Sequence, residues 1–141
     1  MSAPQVELQI SAAATLLADS GVTDIVAAST DGKAVFAIGQ TYENVYPRTV
    51  LETPQWLPRS RTCGRQGDLI LTVHSWARGA DCTLVVGRLA DAVTVALGRA
   101  LTLVGWRVSS WEDEGSASVG DPTAGVAHVV TRLRYSVQQT G

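Results

Sequence analysis

The chain has only two cysteines, Cys63 and Cys82, in 141 residues, and they show no CxxC spacing. Two are too few for a disulfide framework, so both read as free thiols. Charged residues are also scarce, at 17% of the chain against roughly 25% in an average domain. Part of the surface is therefore expected to lie under a partner. A net charge of −2 and a pI near 5.6 supply no general basic field, which argues against a dedicated nucleic-acid binder. No apolar run approaches the ~18 residues of a membrane span. The N-terminus lacks the charged and apolar regions of a secretory signal. The expectation is a soluble, cytosol-made chain with no membrane partner.

Catalytic signatures are missing as well. There is no GxSxG elbow, and "GRQGD" (64–68) is neither a Walker loop nor a GxGxxG, so it reads as a turn into a strand. Cys63, Cys82, His74 and His128 lack the short-range ligand pairs usual at zinc. No metal and no cofactor is expected. The run Glu112-Asp113-Glu114 reads as a solvated strand end, with a hard cation such as calcium as the sharper alternative.

What is present is 45% hydrophobic sequence, enough for one folded domain over residues 1–141. Ser2 and Gln5 have capping-box form, and Val6, Ile10, Ala13 and Leu17 give a helical stripe ending near Gly21. Residues 22–29 suit one or two more helical turns. "AVFAIGQ" (34–40) reads as a first strand. Residues 41–66 carry Pro47, Pro54 and Pro58 with little periodicity, and read as an extended arm or loop.

A second strand follows, with Leu69, Leu71 and Val73 on one face and Ile70, Thr72, His74 and Trp76 on the other. Asp81 then caps a helix running to about Ala100, with Cys82, Val86, Leu89, Val93 and Leu97 in one stripe. Gly87 and Gly98 within that helix suggest close approach of another backbone. Strands over 103–112 and 127–138, joined by "DEGSASVGDPTAG", complete the chain. The fold class is α+β: a mainly antiparallel sheet packed against two principal helices, with a long arm or loop between the first two strands.

His74 is the natural first candidate for chemistry, but Ser75 points to the opposite face of its strand and supplies no catalytic pair. His74 is expected on an outer or intersubunit face. Trp106 and Trp111 differ in parity, so they face opposite sides unless a bulge intervenes. Arginine and aromatic residues together are typical of interface hot spots. The interface candidates are Arg48, Trp56, Arg59, Arg61, His74, Trp76, Trp111, Arg132 and Arg134, the last two placed to meet the acidic run.

The leading helix, then "VFAIGQ", then "CGRQGDLILTVHSWARGAD" running into "LVVGRLADAVTVAL", and the closing "DPTAGVAHVVTRLRYSV" resemble the tail-terminator, or tail-completion, proteins of long-tailed bacteriophages and gene transfer agents. A strand ending in His-x-Trp before a small polar turn and an apolar helix is characteristic of that family; here these are His74 and Trp76. The resemblance covers most of the chain through residue-type patterns rather than a catalytic signature. It implies a structural, non-enzymatic virion component: a homo-oligomeric ring, typically a hexamer, at the head-proximal end of the tail. Implied partners are the tail tube protein and the head-tail connector or stopper protein, with DNA only in transit through the lumen. Assembly in the host cytoplasm and head-tail joining follow. The segment 41–66 is longer than the family's usual connection and is expected to reach a neighbour. From the residues alone, a small soluble protein-binding module and a small enzyme using His74 stay open.

Overall fold

The structure, a computed structural model, describes residues 3–26, 35–37, 45–59, 64–121 and 123–140. Helix α1 (Pro4–Ala18) opens with Pro4 in its first turn, where the missing N–H costs nothing. Ser2 of the expected capping box lies outside the described residues, and the cap position is Ala3, which offers no side-chain bond. The buried stripe is Leu8, Ala12 and Leu16. The expected stripe is corrected: Val6, Ile10 and Leu17 are 52%, 59% and 46% exposed. The helix is apolar on more than one side, so spacing alone admits two stripes, and packing on the sheet selects one.

Asp19, with extended backbone, ends α1. Its Oδ1 accepts the Val22 N–H at 3.1 Å and so starts α2 (Ser20–Val26), which puts Gly21 inside the second helix rather than at the end of the first. Helix α3 (Cys82–Leu97) buries Val86, Leu89, Val93 and Leu97 as its spacing predicts. Asp81 holds the N-cap position without a side-chain bond. Cys82 is half-buried beside a small cluster of Ala77, Val86, Ala90 and Val129. Among the described residues nothing lies within 4 Å of a Cβ built on Gly87, and Gly98 is the C-cap residue.

Among the described residues six strands form one sheet: β1 (Val35–Ala37), β2 (Arg48–Leu51), β3 (Gln55–Arg59), β4 (Gln66–Arg78), β5 (Trp106–Val119) and β6 (Val126–Gln139). Their order is β1-β2-β4-β6-β5, with β3 also paired to β4, and every pairing is antiparallel except β1 with β2. This is the α+β architecture that the sequence implies. Within the segment 41–66, however, the described residues include two strands hydrogen-bonded to β4. Pro47 precedes β2, Pro54 separates the two strands, and Pro58 lies in β3, which pairs on one side with β4. Prolines at such places break the sequence period without breaking the ladder.

The core lies between the helices and one face of the sheet. Leu69, Leu71 and Val73 of β4 and Leu133, Tyr135 and Val137 of β6 meet Leu8, Leu16, Leu89, Val93 and Leu97. Each such apolar side chain contributes about 1.5–3 kcal/mol by leaving water. Tyr135 also donates its hydroxyl to the Leu97 carbonyl at 2.6 Å, tying β6 to the end of α3.

The longest revision concerns β5, which runs to Val119, so the acidic run lies within a strand and not at its end. Irregular register between Val108 and Ser110 and between Asp113 and Ser116 accounts for this. Bulges interrupt the period by which a strand is read from sequence. The first of them also sets Trp106 against Gln139 and Trp111 against Tyr135. The two tryptophans thus share the helix side despite their parity, Trp106 buried and Trp111 46% exposed.

Candidate functional site

The face of the sheet turned away from the helices carries a linked polar and aromatic cluster. His74 and Trp76, two apart on β4, lie on this face by alternation. Register sets Trp76 opposite both His128 of β6 and Arg48 of β2, and sets His74 opposite Val50, two residues before Glu52. Three strands therefore deliver their side chains to one place.

His74 is bonded at both ring nitrogens. Its Nε2 is 2.6 Å from Glu52 Oε2, and its Nδ1 is 2.8 Å from His128 Nε2. Carboxylate oxygen accepts, so His74 Nε2–H is the donor in the first bond. Trp76 stacks on His128 with centroids 4.3 Å apart and planes at 14°, and on His74 at 5.4 Å and 17°. The Arg48 guanidinium lies 4.3 Å from the Trp76 ring centroid and 4.5 Å from that of Tyr46, and donates to the Val45 carbonyl at 3.2 Å. Arg48 is buried at 7% exposure, an environment in which cation–π contacts are strongest. Burial pulls the His128 imidazole below the ordinary histidine value; the neighbouring His74 and Arg48 act in the same direction, and Asp121 opposes them.

A second polar network sits further along the same face. Arg134 donates from Nε and Nη2 to Asp68 Oδ2 at 2.9 and 2.7 Å, and Ser136 donates to Oδ1 at 2.8 Å. Burial raises the Asp68 carboxyl, but these bonds and the Arg59 guanidinium 3.5 Å away outweigh it, leaving the carboxyl below its ordinary value. Arg134 also lies 3.9 Å from Glu114, and Glu112 is its register partner. The expected meeting of β6 arginines with the acidic run thus occurs at Arg134. Its principal partner is nevertheless Asp68 of β4.

The nine interface candidates thus fall in several places. Arg48, His74 and Trp76 converge in the first network, and Arg59 and Arg134 converge on Asp68. Arg132 is exposed and lines a cleft with Glu52, Thr72 and Glu114. Trp56 packs edge-on against Trp106 at 5.6 Å and belongs to the core margin. Trp111 is exposed on the helix side, and Arg61 lies outside the described residues. His74 lies on the face turned away from the helices, where its partners are Glu52 and His128. Sequence reasoning missed this link because it requires β2, hidden in a proline-rich stretch. Two histidines on neighbouring strands were the available signal. Among the described residues no group of three or more His, Cys, Asp or Glu side chains is placed to hold a metal ion, and no helix is long and apolar enough to cross a membrane.

The chain matches no protein-family model and no curated protein. Its fold matches a solved chain from the "Virion of native gene transfer agent (GTA) particle" with a TM-score of 0.83 and 19% identity, over 98% of this chain and 99% of that one. A second solved chain shares the fold more loosely, with a TM-score of 0.53 and 14% identity, over 92% and 96% of the two chains.

Proposed function

We propose that this chain is a structural component of a phage-like particle, and that within the particle it acts as a tail terminator. In this reading copies of the chain close into a ring, a hexamer, at the head-proximal end of the tail tube. The ring ends tube growth and offers its other side to the head-tail connector or stopper protein, while DNA passes only through the lumen. The observation that carries the reading is end-to-end fold agreement, at a TM-score of 0.83, with a chain of a gene transfer agent virion. The His-x-Trp strand end and the helix after it, which carry the sequence resemblance, are β4 and α3 here.

The surface supports assembly rather than catalysis. Val6, Ile10 and Leu17 of α1, Leu84 and Val95 of α3, Val104 and Trp111 are large apolar side chains left exposed, a distribution suited to further contacts. The site around His74 brings together a carboxylate, two imidazoles and stacked rings without an adjacent nucleophile among the described residues.

Electron microscopy of particles made with and without the gene tests the proposal. Overlong tails, or heads and tails that fail to join, are expected when the gene is absent. Normal joined particles would contradict the terminator role and favour a separate protein-binding module.

A further inference from the structure

The histidine pair has an internal logic that a ring-forming role does not require. The chain contains two histidines in all, and they are bonded to each other at 2.8 Å. Their ring centroids are 5.0 Å apart, the separation expected when two imidazoles point nitrogen to nitrogen along a shared axis. There is room for one proton between those nitrogens and none for a metal ion. Glu52 fixes the far nitrogen of His74 as a donor.

We propose that His74 and His128 form an acid-sensitive clasp across β4 and β6, closed with no added proton or with one, and opened by the second. With no added proton, His74 carries its hydrogen on Nε2, toward Glu52, and His128 Nε2–H donates to His74 Nδ1. One added proton enters at His128 Nδ1 as the shared hydrogen passes from His128 Nε2 to His74 Nδ1, which leaves His74 as an imidazolium donating from both nitrogens, to Glu52 and to His128 Nε2, and His128 neutral. The bond persists with its donor and acceptor exchanged. A second added proton places N–H against N–H at the same contact, and two like charges besides. The bond is lost, and the His128 ring leaves the Trp76 face on which it stacks.

The charged groups around the pair are distributed to resist that second proton without forbidding it. Arg48 of β2 lies over Trp76, and Arg78 of β4 reaches toward Tyr46 at 5.9 Å. Both arginines oppose further positive charge. Glu52 at the end of β2 and Asp121 in the turn before β6 favour it. Arg132 of β6 shares a cleft with Glu52. The depressed His128 value fits a ring that resists charging while its neighbour holds the shared proton. The sign follows: stability from neutral His128 is full above the unfolded value of 6.5 and is lost as pH falls through the lower folded value.

A proton-detected NMR titration of the intact chain tests the clasp, because it has two imidazole signals to follow. Two steps separated by about one pH unit or more are expected. The His128 ring protons should keep their Trp76 ring-current displacement through the first step and lose it in the second. In His74→Gln the His128 midpoint should rise toward the ordinary value. A single step in both rings, or a His128 midpoint indifferent to His74→Gln, would overturn the proposal. So would a ring-current displacement that survives both steps. If the chain unfolds before the second step, His74→Gln should move the acid-unfolding midpoint to lower pH, and an unmoved midpoint counts against the clasp.

Discussion

The two faces of β4 solve different problems with one run of residues. Toward the helices, Leu69, Leu71 and Val73 are fully buried in an apolar core. Away from them, Thr72, His74 and Trp76 are half-buried among groups satisfied by specific bonds and stacks. The first face is held by area removed from water, which is non-directional and tolerant of shape. The second depends on geometry and protonation. Substitutions on the helix face should therefore cost stability, whereas those on the other face should change interactions and pH response at smaller cost.

The largest expected effect lies on the helix face. Leu71→Ala, at a site with no exposure, is expected to lower unfolding free energy by about 2–5 kcal/mol in chemical denaturation. A loss below 1 kcal/mol would erase the contrast between the faces.

Next comes Gly67 of β4, the register partner of Pro58 in β3. A Cβ there would collide with the Leu57 carbonyl oxygen and lie 2.8 Å from the Pro58 Cα. Gly67→Ala is expected to cost about 1–3 kcal/mol, and hydrogen exchange should show the loss concentrated in residues 55–59. Uniform protection across the sheet would show that β3 is not held by this contact.

On the polar face, Asp68→Asn is expected to cost about 1 kcal/mol, reduced because Arg134 is partly open to solvent. Since the folded carboxyl lies below its unfolded value of 3.8, its contribution is present above that value and lost as pH falls through the folded one. The variant should flatten the acid limb of a stability profile in that range. An unchanged limb would assign the acid sensitivity elsewhere.

The smallest effect on folding is expected at Ile10→Asp, on the exposed side of α1. Stability should move by roughly 0.5 kcal/mol or less. If this side of α1 is buried in the particle, the same change should reduce incorporation of the chain, measured by its content in purified particles. Normal incorporation would remove α1 from the assembly surface.

Much of the helix face was legible in the sequence, because period 2 in β4 and β6 and the stripe of α3 each point one way. The α1 stripe was not, because Leu8, Ala12 and Leu16 compete with Val6, Ile10 and Leu17 on a helix apolar on several sides. The polar face was partly legible: His74 and Trp76 fall on it by alternation, yet their partners come from other strands. Glu52 was obscured by the prolines around β2. His128 required the pairing register of β4 with β6, which a strand pattern alone does not fix. The bulges of β5 hid the end of that strand and the common side of its two tryptophans.

The most direct test of the proposed role is to locate the chain in purified particles by electron microscopy, using a gold label on a C-terminal tag. The account predicts label at one position, where the tail meets the head. Label along the tail or at its far tip, or particles without label, would contradict it.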